Sequence, residues 1–401
     1  MQQPEKSIKQ LIAEHKPGHA LGRRFYTDPE IYALEIERIV MQNWIVAGHQ
    51  SELPEPGDFK VLHVAGESAI IVRGKDHKLK AFANVCRHRG SVVCLETRGS
   101  AAKFTCPYHG WMYDLDGNLI AARNMPTDFD KSQFSLVDVA VQTIQGLILV
   151  CFSADPPSTD DARREMAAPM DLFGFDNLKV AAFKEYAIDA NWKLAIENYM
   201  ECYHCATAHP DYAKMHTLML DEVKRDRLQG HMLERMSACG MRDIFVSGFG
   251  VAVRPGQMSY SYSRTALFEG YKTGSRDGAP VAPLLGELTD YDGGASDFVF
   301  GPFSYLLGYS DHVVCYVFVP IDMDHCRCDI YWLVRDDAKE GRDYDVDELT
   351  WLWDKTTEAD KDIITNNARG VRSRFYEPGP LSNMEASERN YLEWVLRQLD
   401  E

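Results

Sequence analysis

A chain of 401 residues, 45% of them hydrophobic, exceeds the usual size of one core and can fill two. Its 60 acidic and 43 basic residues give a formal charge of −17, which argues against nucleic acid or anionic membrane as a partner, since both select basic surfaces. No stretch approaches the roughly 20 apolar residues of a membrane span, and the opening MQQPEKSIKQLIAEHK lacks the apolar core of a signal peptide, so a cytoplasmic enzyme is expected.

Residues 1 to 45 read as a helical segment, with Ile36, Ile39, Val40 and Trp44 at helix spacing. Strands then dominate. Phe59–Val64, Ser68–Val72, Ala81–Val85 and Leu147–Phe152 are short and rich in Val, Ile and Phe, and Gly, Asp and Asn turns separate them, as in a small antiparallel module. Loops of that module carry Cys86-Arg87-His88 and Cys106-Pro107-Tyr108-His109, separated by 17 residues. Two thiolates and two imidazoles form the donor set of a Rieske-type [2Fe-2S] cluster, whose imidazole ligands raise its potential above that of an all-thiolate ferredoxin. The same donors suit a tetrahedral Cys2His2 zinc site. The strand-like stretch between the pairs and the fuller string NVCRHRGSVVC…CPYHGWMYDLDGNL favour the cluster.

Ser153–Arg164, with Pro156, Pro157 and several Asp, is predicted to be a linker. The expected organisation is an N-terminal helical segment at 1–45 packing on the catalytic domain, a cluster domain at 46–155 and a catalytic domain at 156–401. Beyond the linker, NWKLAIENYMECYHCATAHP runs from Asn191 to Pro210 and holds Glu201, His204 and His209. Residues five apart on an ideal helix point about 140° from each other. The two histidines therefore share a metal only if the helix bulges or ends between them, and Pro210 favours an ending by forcing His209 out of α geometry. Two such histidines can also be structural. Cys202 and Cys205 form a C-x-x-C, and they are expected to be packing thiols, in keeping with ten cysteines that suit a reducing compartment.

A two-histidine site needs a carboxylate to hold Fe(II) with positions left open. In DELTWLWDKTTEADKDIITNNARG, Leu349, Trp353, Thr356, Asp360, Ile363 and Asn367 recur at helix spacing, which places Asp360 inward and Asp362 on the polar face. A buried carboxylate must be paired or metal-bound, so Asp360 is the expected ligand. Phe245, Phe249, Tyr260, Tyr262, Phe298, Phe300, Phe303, Tyr305 and Tyr309 form an aromatic-rich stretch, some of which could cage a methylated ammonium and most of which reads as strand core by its alternation. In the last helix Tyr391, Trp394, Val395 and Leu399 make an apolar stripe that must pack on something. There is no G-x-G-x-x-G after a strand for a flavin or nicotinamide, and no C-x4-C-x2-C for a plant-type ferredoxin. Electrons must therefore be supplied by another protein.

With both constellations in view, the chain resembles the terminal (alpha-type) oxygenases of the Rieske non-haem iron family over both of its halves. That resemblance implies an α+β fold, an antiparallel β Rieske domain followed by a catalytic domain of curved antiparallel sheet around a long helix. It implies that Cys86 and Cys106 bind one iron of the [2Fe-2S] cluster and His88 and His109 the other. His204, His209 and Asp360 would hold a mononuclear Fe(II), since the family's iron helix reads E-N-x-x-E/D-x-Y-H-x4-H-P and its carboxylate precedes an Arg-Gly pair, here Arg369-Gly370. Glu201 would carry electrons from His109 of one subunit to His204 of the next in a head-to-tail homotrimer. Most ring-hydroxylating dioxygenases have Asp at that bridge, and Asn198 lies one residue closer to it than is usual among them. The glutamate and the string N-Y-x-E-C-Y-H-C resemble instead the branch that oxidises quaternary ammonium compounds. The implied activity is N-demethylation or hydroxylation of a betaine-like substrate with O2 and electrons from a separate NAD(P)H reductase, with or without a ferredoxin. Two other readings are attack on an aromatic or hydrophobic acid, and electron carriage without oxygenase activity.

Overall fold

In a computed structural model, which describes residues 6–239 and 241–400, the strand-rich stretch after residue 45 forms three small antiparallel sheets. The largest has the order Leu79–Ala83, Glu67–Arg73, Asp58–Val64 and Arg98–Ser100. A second joins Phe104–Thr105, Met112–Tyr113 and Leu119–Ala121. Phe59, Ile70, Phe82, Trp111 and Tyr113 pack between them around Cys86 and Cys106, in a core separate from the main one. The third sheet pairs Ile45–His49 with Leu147–Cys151, and these two fully buried strands contribute to the main core. The strand expected at Ala81–Val85 ends at Ala83 because Asn84 turns inward, accepting from the Val93 and Cys94 amides (3.1 and 2.8 Å) and donating to the Cys94 carbonyl (2.9 Å).

The catalytic half is built on a seven-stranded antiparallel sheet. Its strand order is Leu178–Ile188, Cys326–Arg335, Val313–Pro320, Ser304–Gly308, Gly294–Phe300, Tyr260–Ala266 and Val246–Gly248. Against it lie the helix Trp192–Tyr199 and the 26-residue helix Val346–Val371. Asp345 caps the long helix by accepting from the Glu348 amide, and Asp347 and Glu348 in its first turn complement the helix dipole.

Three expectations are refined or corrected. The segment before residue 45 is helical in pieces: Ile8–Glu14, Arg24–Thr27 and Pro29–Glu35 are separate, Ile36–Val40 forms a π turn, and residues 1–5 lie outside the described residues. Gly18, at φ 74°, and the Asp28 cap before Pro29 interrupt it. This segment holds the helix Trp192–Tyr199 through a fully buried ion pair, Glu35 Oε2 to Lys193 Nζ at 2.6 Å, while Tyr26 donates to Glu197 at 3.0 Å. The expected linker is also shorter than 153–164. From Asp160 the chain is helical to Phe173, because Asp160 and Asp161 suit a helix start and Ala162, Met166, Met170 and Phe173 supply a buried face. Third, Cys202 and Cys205 form a disulfide rather than two packing thiols. The helix stops at Tyr199, and the turn that follows brings their Cα atoms to 5.0 Å. The other eight cysteines are free. The last helix, Ala386–Asp400, buries the expected stripe of Tyr391, Trp394, Val395 and Leu399 within this chain; Arg38 donates to the Leu399 carbonyl at 2.8 Å.

Candidate functional site

The two cysteine–histidine loops have the same construction. In each, the cysteine amide donates to the residue five positions on, and the glycine four positions on donates back to the cysteine carbonyl. The bonds are Cys86 to Ser91 with Gly90 to Cys86, and Cys106 to Trp111 with Gly110 to Cys106. Gly90 and Gly110 take the left-handed conformation (φ 75° and 71°) that closes such a tight loop. Cys86 and Cys106 are buried, whereas His109 is exposed and His88 half-buried. The two imidazoles face each other, Nδ1 to Nδ1 at 3.1 Å, and the Trp111 ring stacks on His88 with centroids 4.7 Å apart. Two buried sulfurs under two outward imidazoles fit a Rieske cluster, with one iron at the core and the other at the surface. Tyr113, which sequence reasoning left unassigned although it stands in the quoted string, lies 3.3 Å from Cys86 Sγ and accepts from the Arg87 amide at 3.1 Å. Burial, then the Cys86 thiol, push its hydroxyl well above the ordinary tyrosine range.

The second site is assembled from distant segments. His204 opens a one-turn helix, Cys205–Ala208, and His209 closes it in non-helical geometry (φ −127°, ψ 69°) ahead of Pro210. This break lets both imidazoles turn toward the long helix. His209 Nε2 lies 2.8 Å, and His204 Nε2 3.4 Å, from Asp360 Oδ1, and one donor atom of each of the three lies within 4.8 Å of the others. Glu201 fixes the tautomer of His204, since its Oε1 meets Nδ1 at 2.5 Å while Oε2 accepts from the Tyr203 and His204 amides. Burial works against the cation, but the Asp360 and Glu201 carboxylates outweigh it and raise His204 to about 9. Likewise burial opposes ionisation of Asp360, and the two imidazoles hold its carboxyl below the ordinary value. Two Nε2 atoms and one carboxylate oxygen converging on one point fit a two-histidine, one-carboxylate Fe(II) site. His209 Nδ1 is buried without a partner among the described residues, so Nε2 is the nitrogen that faces Asp360 and the candidate iron position.

Asp362 is exposed, as the helix periodicity required. The inward stripe itself drifts beyond Asp360 to Ile364, Ala368 and Val371 instead of Ile363 and Asn367, because a straight α-helix does not keep a strict seven-residue repeat. His204, His209 and Asp360 border a cavity of about 1010 Å³. Among the expected aromatics, Phe249, Phe298 and Tyr305 line it, whereas Phe245 is 76% exposed. Trp353, expected on the inward stripe, also lines it, as do Tyr199, Tyr212, Arg225 and Asp297, which the sequence did not single out. Tyr199 lies inside the string that holds His204 and His209, and Tyr212 follows it by two residues, which is the one signal that could have found them.

A Rieske-type cluster fold joined to a mononuclear non-haem iron centre with an open cavity defines a two-centre oxygenase. The Rieske [2Fe-2S] domain model matches residues 43–143, and the ring hydroxylating alpha subunit (catalytic domain) model matches residues 175–401. The chain belongs to this family of Rieske oxygenase alpha subunits, so it carries a [2Fe-2S] cluster and a mononuclear iron and takes its electrons from a reductase partner. The glycine betaine monooxygenase oxygenase subunit of Pseudomonas aeruginosa is 32% identical, over 98% of this chain and 92% of that one. The protein of the same name from Chromohalobacter salexigens is 34% identical over 97% and 89%. The carnitine monooxygenase oxygenase subunit of Escherichia coli is 33% identical over 70% and 72%. A crystal structure of a quaternary ammonium Rieske monooxygenase aligns with a TM-score of 0.72 over 98% of this chain and 99% of that one, at 24% identity, which is a likeness of fold. No helix among the described residues is long and apolar enough to cross a membrane.

Proposed function

We propose that this chain is the terminal oxygenase of a cytoplasmic, reductase-fed system that hydroxylates an N-methyl group of a betaine-like quaternary ammonium compound. The observation that carries the proposal is the convergence of His204 Nε2, His209 Nε2 and Asp360 Oδ1 on one face of the cavity, with Glu201 on His204. Full-length likeness to two betaine monooxygenase subunits, together with glutamate rather than aspartate at position 201, supports the substrate class.

Cys86, Cys106, His88 and His109 hold the cluster in this reading, and His204, His209 and Asp360 hold the iron, which when bound supplies reductive activation of O2. Glu201 accepts a hydrogen bond from His204 Nδ1–H and so keeps Nε2 free to ligate. We assign it also the bridge between His109 of a neighbouring copy and His204 in a homotrimer; the exposure of His109 supports this. Two electrons come from an NAD(P)H reductase, directly or through a ferredoxin. One oxygen atom enters a methyl C–H bond, and the other leaves as water with two protons. The hydroxymethyl ammonium then breaks its C–N bond, releasing formaldehyde and a proton and leaving the pair of electrons on the tertiary amine. We place the cluster domain at 46–155 and the catalytic domain at 156–401, after an N-terminal segment at 1–45 packed on the latter; the separate core around Phe59 and Trp111 supports that division.

The test is a formaldehyde assay with the reconstituted reductase, using glycine betaine, carnitine and aromatic acids. Formaldehyde matched to oxygen consumed with a betaine is expected. Oxygen uptake with an aromatic acid and no formaldehyde from any betaine would overturn the substrate class.

A further inference from the structure

We infer that the cavity is a receptor for a zwitterion, in which Asp297, in a wall shared with Tyr199 and Tyr212, takes the quaternary ammonium and Arg225 takes the carboxylate. This inference rests on the proposed substrate class and names the residues that would enforce it. Asp297 sits mid-strand in Gly294–Phe300, opposite Ser263 and Leu307, and all three border the cavity. Aspartate is depleted in strands and gains nothing from such neighbours. Its carboxylate has no hydrogen-bond or ion-pair partner among the described residues. The nearby guanidinium of Arg264 is committed to Asp292 through Nε (2.7 Å) and Nη2 (2.5 Å). Burial, only partly offset by Arg264, raises the Asp297 carboxyl to about 7. A half-buried acid in that state lacks a counter-cation, and a permanent cation arriving in the cavity supplies one.

Tyr199 and Tyr212 line the same cavity as Asp297 and Asp360, and one face of the Tyr212 ring is stacked on His216 at 3.9 Å. Tyr212 stands edge-on to Trp353 at 5.6 Å, and both line the cavity. Aromatic faces beside a carboxylate recognise a methylated ammonium, which has charge but no N–H to donate. Arg225, on the helix Glu222–Ala238, is the one lysine or arginine among the described residues that line the cavity. It makes no ion pair with a described residue, so its fork is available to a ligand carboxylate. Asp297 on a strand and Arg225 on a helix bring a charge of each sign to the cavity, the complement of a betaine.

Equilibrium binding to the anaerobic, iron-loaded protein tests this with three probes: glycine betaine, its neutral-headed isostere 3,3-dimethylbutanoate, and tetramethylammonium. Wild-type protein is expected to bind betaine about tenfold or more tightly than the isostere. Asp297→Asn should close that gap by weakening the two cations alone. Arg225→Gln should weaken betaine and the isostere and leave tetramethylammonium unchanged. Equal wild-type affinity for betaine and the isostere overturns the inference without any variant, as does undiminished betaine binding by a folded Asp297→Asn protein. Formaldehyde release from betaine alongside either result leaves the proposed function standing and removes only this inference. Asp297-dependent binding of tetramethylammonium without formaldehyde from any betaine does the reverse.

Discussion

The two metal centres are written into the chain in different ways. The cluster loops are near-copies of one six-residue turn, at Cys86–Ser91 and Cys106–Trp111, each closed by its own two backbone hydrogen bonds and a left-handed glycine. The site proposed for the mononuclear iron joins His204 and His209 to Asp360, about 150 positions further on, through a broken helix and one face of a 26-residue helix. A local centre is specified by turn chemistry and tolerates little change within the turn. A distributed centre depends on how the elements pack, and its cavity collects side chains from strands and helices with no common motif.

That contrast can be broken most directly at Asp360. Asp360→Ala should abolish oxygenase activity while the visible spectrum of the cluster persists, because no cluster-binding residue is touched. Asp362→Ala, on the exposed side of the same helix, should leave activity within about twofold, the usual range for a surface substitution. Cys106→Ser is the converse test: iron–sulfur absorbance should vanish, and thermal stability should fall with it, since Cys106 is part of the small core around Phe59 and Trp111. A cluster lost from the Asp360→Ala protein would mean that the two centres are not separately encoded.

Smaller changes sharpen the comparison. Glu201→Gln keeps the hydrogen-bonding shape but removes the charge next to His204, so turnover or iron affinity should drop by about 10- to 100-fold, the range seen when a residue supporting a metal ligand is lost. Single-turnover reduction of the iron would locate the defect in electron delivery if affinity is unchanged. Tyr113→Phe removes one hydrogen bond to Cys86 Sγ. Such a bond favours the more negative, reduced cluster, so its loss should lower the potential by on the order of 40 mV, for a bond worth about 1 kcal/mol. A redox titration reads this directly, and an unchanged potential would assign the hydroxyl to the Arg87 amide alone.

The same division explains what could be read from the residues alone. The cluster donors, the strands around them and the outward placement of Asp362 follow from short-range patterns of two, three and four residues. The break between His204 and His209 was legible through Pro210, because proline acts on its immediate neighbour. The disulfide between Cys202 and Cys205 was not, since it depends on the helix ending at Tyr199 rather than continuing through the apolar string. Pro156 and Pro157 drew the expected linker too far, into a helix whose apolar face shows only when Ala162, Met166, Met170 and Phe173 are taken together. Asp297 and Arg225 carry no local signature at all. Only the pairing of Gly294–Phe300 with its neighbouring strands and the placement of the helix Glu222–Ala238 bring them to one cavity.

The most direct test of two separately encoded iron centres is the iron and acid-labile sulfide content of wild-type and Asp360→Ala proteins purified anaerobically side by side. The wild-type chain should carry about three irons and two sulfides, and the variant about two irons and two sulfides with the same cluster spectrum. A variant that retains the third iron, or a wild-type chain that carries zinc and no sulfide, would contradict it.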